Sequence, residues 1–206
     1  MGRGAGLLSD PGRSTSIEIP LFPLSTVLFP GGPLPLRIFE PRYVDMIGRC
    51  MKSGSGFGVV LIREGQETGP ARTWEIGTLA SIVDFDQLKD GTLGIVALGG
   101  ARFILRESRR EKDGLNVGRV DLLEPEAAVP LPERFADLGR LLEGVFGELG
   151  PHYRHVRTDF ADAGWVGFRL AELLPVELDR KQHCLELFDP VARLEYLEPL
   201  LRTLGH

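Results

Sequence analysis

Cysteine is scarce in this sequence: two in 206 residues, Cys50 and Cys184. Their separation fits neither a disulfide framework nor a metal-ligand spacing, so reduced thiols in a cytoplasmic setting are expected. Histidine is nearly as rare, with His152, His155, His183 and His206 as its four representatives. No Asp, Glu or Cys stands where it would complete a zinc set around His152 and His155, so no metal is expected. His183 adjoins Cys184, but successive residues on a helix point about 100° apart and do not form a thiolate-imidazole pair. The chain holds no Gly-Lys pair, which removes the phosphate-binding loop. Gly54-Ser55-Gly56-Phe57-Gly58 leads into a strand pattern and not a helix, so it reads as a turn, and no cofactor is expected. No apolar run approaches the ~18 residues of a membrane span. The opening MGRGAGLLSDPGRSTS has only Leu7 and Leu8 as large apolar residues, too few for a signal peptide, and Gly6 occupies the place where a myristoylation signal wants Ser or Thr. An excess of positive charge is missing too. Against 24 basic residues stand 29 acidic ones, and the net charge of -5 offers no footprint for nucleic acid or an anionic membrane.

Apolar residues are plentiful at 43%, enough for a real core in one large domain or two small ones. The stretch from Ile17 to Met51 organises the rest. Prolines 20, 23, 30, 33, 35 and 41 each fix φ and delete a backbone donor, so nothing before Glu40 can be helical. Extended segments joined by the turn Pro30-Gly31-Gly32-Pro33 are predicted over 17–39. Pro41 suits a first helical turn, and Tyr43, Met46, Ile47 and Cys50 follow at helical spacing, giving a helix over 40–53 closed by Gly54. Glu40 is expected to serve its N-terminus through capping and the helix dipole, and Arg37 and Arg42 to pair with it or with other carboxylates. Phe57 to Ile62 reads as a buried strand, and 64–73 as a surface loop. Asp90-Gly91 marks a hairpin between Trp74–Phe85 and Leu93–Leu98; Gly99-Gly100 allows a bend or bulge before the strand restarts at Phe103–Leu105, and Asp113-Gly114 turns into Val117–Leu123.

At Glu124-Pro125-Glu126-Ala127-Ala128-Val129-Pro130 the strand signals stop, and the boundary belongs there. Phe135, Leu138, Leu142, Val145 and Leu149 recur at helical spacing. Asp159 can cap a second helix ending before Pro175, with Asp162 three residues on favouring its positive end; a third covers about 179–187, and Asp189-Pro190 opens a fourth. The fold class is therefore α+β: a tail over 1–16, a β-rich barrel-like subdomain with one helix over 17–126, and an α-helical bundle over 127–206.

Three stretches carry a family resemblance: IPLFPLSTVLFPGGPLPLRIFEPRY, IGTLASIVDFDQLKDGTLGIVALGGARFIL and LLPVELDRKQHCLELFDPVARLEYLEPL. They resemble the LON domain, the N-terminal substrate-recognition domain of ATP-dependent Lon proteases, which also occurs without a protease attached. The resemblance implies a PUA-like pseudo-barrel and binding of unfolded or extended polypeptide. It implies no catalysis, since the serine-lysine dyad and the ATPase of Lon belong to other domains. Phe22, Phe29, Leu36, Phe39 and Tyr43 are the expected peptide-binding residues, because the Phe22–Tyr43 region supplies more large apolar side chains than one layer hides. An RNA or nucleotide binder on the PUA-like fold is the first alternative, against which the acidic balance weighs. A small hydrolase is the second, but no nucleophile, base and orienting group assemble from the sequence.

Overall fold

The computed structural model of the chain describes residues 16–67 and 71–204. The expected tail up to residue 15 lies outside the described residues. The proline-rich opening forms β1 (Ser16–Leu24) and β2 (Pro33–Ile38). Helix α1 (Pro41–Ser53) follows and ends at Gly54, whose φ of 66° is the left-handed conformation that a glycine takes without cost. Glu40 does precede the helix, yet its side chain makes no cap; it pairs with Arg42 instead. A carboxylate with a guanidinium two residues away has a stronger partner than the helix amides.

Then come β3 (Phe57–Gly65), β4 (Ala71–Thr73), β5 (Ile76–Gln87), β6 (Leu93–Arg110) and β7 (Asn116–Leu122). The predicted loop over 64–73 is shorter than expected, because β3 runs on to Gly65 and β4 pairs back on it; residues 68–70 lie outside the described residues. Strand β6 does not stop and restart after its glycines, which instead form the expected bulge. It continues for 18 residues and absorbs them in a register shift against β5 between Thr78 and Ala80. Gly99 has no room for a side chain: a Cβ there would lie 2.1 Å from the Phe29 carbonyl oxygen. The Pro30–Pro33 turn is stitched to that point, Gly31 N–H donating to Gly99 O at 2.8 Å and Gly99 N–H to Gly32 O at 2.9 Å.

Strand pairing runs β1-β7-β6-β5-β3, all antiparallel, and β1 then pairs with β3 in parallel, so these five strands form a circuit. β2 adds to the first half of β6 and β4 to the end of β3. Inside, Phe57, Val59, Ile95 and Ala97 pack with Met46 and Ile47 of α1, all of them excluded from solvent.

The C-terminal part holds α2 (Ala136–Phe146), α3 (Ala163–Leu173), α4 (Leu178–Glu186) and α5 (Pro190–Leu204), with a short 3-10 turn at Pro151–His155. Asp162 caps α3, accepting from Trp165 N–H at 2.7 Å; the cap is not Asp159, because Pro130 bridges Asp162 and fixes the helix start there. The helices share one core with Val27, Phe29 and Leu61 from the N-terminal half, with Phe29 beside Phe168. Buried arginines join the two parts. Arg102 of β6 donates to the carbonyls of Leu185 and Leu187 and, at 2.8 Å, to Glu126, which also receives Arg193 of α5.

Candidate functional site

On one side of the circuit, β2, β6 and β5 lie side by side in a register that decides which groups face outward. Proline has no N–H, so Pro33↔Leu98 and Pro35↔Val96 cannot be the mutually hydrogen-bonded pairs of an antiparallel ladder. Leu36↔Ile95 must be one, which turns the backbone groups of Val96 and Gly94 toward β5, onto Asp84 and Asp86. The N–H groups of Phe85 and Gln87 therefore point away from the sheet. Their observed partners agree: Phe85 N–H donates to its neighbour Asp84 Oδ1 at 3.1 Å and Gln87 N–H to Asp86 Oδ1 at 2.8 Å. β3 pairs with β5 only from Thr78 to Ala80, so the edge beyond that point carries no strand.

Phe85 is the centre of this region. The residue is 59% exposed, although Ile95 and Leu36 share its row. Three hollows meet it. The largest, about 550 Å³, lies between β2, the β5–β6 hairpin and Pro151, with Leu36, Leu88 and Val96 in its wall. A second of about 270 Å³ separates the edge from the end of α1, walled by Met51, Ile82 and Val83. A third, about 350 Å³, adjoins Gly91 and Leu93 at the hairpin tip. Exposed aromatic and aliphatic groups around a ridge are the form in which a soluble protein presents an apolar binding surface. Charges rim it: Arg37 is tied to Asp90, and Arg154 to Asp84, while Asp86 has no ion-pair partner among the described residues.

Of the five residues expected to bind peptide, the structure brings one into these hollows. Leu36 is half-buried in the wall of the largest. Phe39 is 65% exposed but lines none of the three. Phe22 and Tyr43 are core residues stacked on each other at 3.9 Å, with Arg42 over the tyrosine ring, and Phe29 is fully enclosed. Phe85, Leu88 and Val83 were not singled out from the sequence. A signal existed in Asp84-Phe85-Asp86, where a large aromatic stands alone between two charges on an exposed strand.

Another hollow, about 370 Å³, opens between β6 and α3, with Arg102 and Glu126 in its wall. The Arg102 guanidinium is spent on Glu126 and two backbone carbonyls, so it is not free to hold an anionic ligand. Among the described residues no three His, Cys, Asp or Glu stand together as metal ligands, and no helix is long and apolar enough to cross a membrane.

Comparison with known proteins places this architecture. The family model for the ATP-dependent protease La (LON) substrate-binding domain matches residues 18–203. The chain belongs to that family. Among solved structures, the LON fold here is similar to a Lon N-terminal domain protein from Xanthomonas campestris, with 37% identity, a TM-score of 0.75, and coverage of 89% of this chain and 98% of that one. The N-terminal domain of the Mycobacterium avium complex Lon protease, at 17% identity and a TM-score of 0.59 over 88% and 97% of the two chains, shares the fold. Among curated proteins, Lon protease 2 of Myxococcus xanthus is 29% identical over 193 residues, 89% of this chain and 23% of the relative. Protein cereblon of Xenopus tropicalis is 31% identical over 119 residues, 56% of this LON chain and 26% of the relative. The chain thus spans about a quarter of the length of the curated relatives it matches.

Proposed function

We propose that this chain is a non-catalytic module that binds unfolded or extended polypeptide in the cytoplasm, in an adaptor or quality-control role. Its strand circuit is taken as a PUA-like pseudo-barrel, over 17–126, and its helices as a bundle over 127–206. The observation that carries the reading is the exposed Phe85 ridge, flanked by hollows that Leu36, Val83 and Leu88 keep apolar, on a domain of the LON substrate-binding family. Extended chain fits it better than a compact ligand, since the hollows lie along a strand and are shallow. Affinity in the micromolar range is expected, equivalent to about 8 kcal/mol at 1 μM, which two or three buried apolar anchors can supply after the cost of ordering both partners.

Titration with denatured, apolar client peptides at two salt concentrations tests this, with Phe85→Ser as the variant and circular dichroism to check its fold. Binding at tens of micromolar or tighter that weakens about tenfold or more in Phe85→Ser supports the reading. No binding by the parent protein would overturn it, as would turnover of ATP or casein that persists through further purification.

A further inference from the structure

We infer that the free edge of β5 from Asp84 to Gln87 takes an extended strand of another polypeptide, one carrying the pattern basic-apolar-basic. The inference rests on the polypeptide-binding reading and names how and what the site binds. Backbone groups supply the first argument. The Phe85 and Gln87 N–H groups point away from the sheet and are occupied by the carboxylates of Asp84 and Asp86, which cap an otherwise open edge. The cap on Gln87 is displaceable, because Asp86 is held there by one side-chain bond to an adjacent residue; Asp84 keeps Arg154 and, at 3.7 Å, His155 beside it when its bond to the Phe85 amide opens. A helical ligand satisfies its own amides and has no use for these groups. An extended one pairs with both and adds to the sheet.

Side chains set the pattern. Successive residues of a strand alternate faces, so Asp84 and Asp86 stand on one face and Phe85 on the other. A residue paired with Phe85 lies beside its ring and the two smaller hollows, walled by Met51, Ile82 and Val83 and by Gly91 and Leu93. The residues before and after it face the two aspartates, on the side of the largest hollow, to which Pro35, Gly94 and Val96 contribute from the aspartates' rows. Released from the backbone amides, those carboxylates need new partners. Arg154 already holds Asp84, but Asp86 has none among the described residues, so the demand for a cation is strongest opposite Asp86. The nearby Arg37 is engaged by Asp90 and Thr92.

The same charges argue against a second copy of this chain as the occupant. Antiparallel pairing of two β5 edges about Phe85 would place Asp84 of each against Asp86 of the other, and like charges directly opposite destabilise a ladder. The acidic pair thus rejects self-association while it favours a basic strand.

A test uses three fluorescent peptides that share a neutral Ser/Thr/Val frame around a Lys-Leu-Lys core, a Glu-Leu-Glu core, or a Lys-Leu-Lys core N-methylated on the leucine. They are titrated against the whole protein and against Asp86→Lys, whose fold is checked by circular dichroism. Expected are a preference of about tenfold for Lys-Leu-Lys over Glu-Leu-Glu, reversal of that preference in Asp86→Lys, and a loss of about tenfold on N-methylation, since each exposed charge pair or backbone bond contributes modestly. In a 15N spectrum the Phe85 and Gln87 amides should shift first. Equal affinity for both charge patterns, unchanged binding of the N-methyl peptide, or self-association through this edge in sedimentation would each overturn the inference. If denatured polypeptide binds and Phe85→Ser abolishes it while none of the short peptides binds, the function stands and edge pairing falls. If no polypeptide binds at all, both fall.

Discussion

Arg169 of α3 donates through Nη2 to the carbonyl oxygen of Pro30 at 2.9 Å, joining the helical part to the turn between the first two strands. The guanidinium is completely buried and also faces Glu172 at 3.2 Å, to which Tyr153 donates its hydroxyl. Glu172 supplies the counter-charge that a buried cation requires, while Nε and Nη1 of Arg169 have no hydrogen-bond partner among the described residues.

That arrangement leaves no space at Gly32. A Cβ there would sit 2.1 Å from Glu172 Oε2 and 2.8 Å from the Arg169 guanidinium. Gly32→Ala should therefore cost about 1–3 kcal/mol through overpacking, whereas Ala at the open, exposed Gly144, where nothing lies within 4 Å, should be neutral or slightly stabilising. Urea denaturation of the two variants checks this; equal midpoints would contradict the packing at Gly32.

Glu126 is the shared counter-charge of two buried arginines, Arg102 and Arg193, the latter lying over the Phe168 ring at 3.6 Å. Burial pushes the Arg102 pKa down, against the pull of Glu126. Glu126→Ala should cost about 3–5 kcal/mol, because it leaves both guanidinium groups buried without a counter-charge. The residues around Glu126 are also pinned by backbone bonds from Leu131 to Ala161 and from Ala163 to Val129. Limited proteolysis should thus spare 124–132 in the parent protein and open it in the variant. Early cleavage there in the parent would show that the proline-marked connector is loose.

Both cysteine thiols are buried, and burial pushes the Cys184 thiol up from its ordinary 9.0 to about 11. At pH 8 roughly one such thiol in a thousand is ionised, so native protein should not react with a disulfide reagent within minutes, and denatured protein should release two equivalents. The folded state holds this proton more tightly, so its contribution to stability is complete below pH 9.0 and is lost as pH rises toward 11. Denaturation curves across that interval should drop less steeply in Cys184→Ala than in the parent.

Phe29 and Phe39 resemble each other in sequence context and differ completely in setting, one fully enclosed and the other 65% exposed. Phe29→Ala should cost about 3–5 kcal/mol, and Phe39→Ser about 0.5 kcal/mol or less with peptide affinity unchanged. Thermal melts and a peptide titration separate them; an affinity loss in Phe39→Ser would widen the site beyond the Phe85 hollows.

The contrast between these phenylalanines shows where sequence reasoning reached its limit. Local punctuation was legible: the prolines that bar a helix before Glu40, the close of α1 at Gly54, the Asp90-Gly91 hairpin turn, and the Asp189-Pro190 start of α5, whose amides at Val191 and Ala192 Asp189 indeed receives. Each follows from backbone geometry within a few residues. The family was legible as well, through residues spread along the chain. Exposure was not, since it depends on distant neighbours: Phe29 is covered by Phe168, and Phe22 by Tyr43, while the edge beside Phe85 is left open because β3 departs after Ala80. The cap of α3 was displaced from Asp159 to Asp162 by an equally distant partner, Pro130.

The strand circuit also governs the order in which the molecule can be made. Strand β1 is divided between two partners: Leu21 to Leu24 lie on β3, but Ile17 to Leu21 wait for β7, where Ile17 meets Val120. During synthesis the first strand emerges long before the last, and such non-local pairing is slow because loop entropy is lost before contacts form. Until Leu122 has left the ribosome, half of β1 has no ladder, and until α3 follows, Phe29 has no cover. The nascent chain is thus for a time an extended, proline-rich, apolar segment in need of protection.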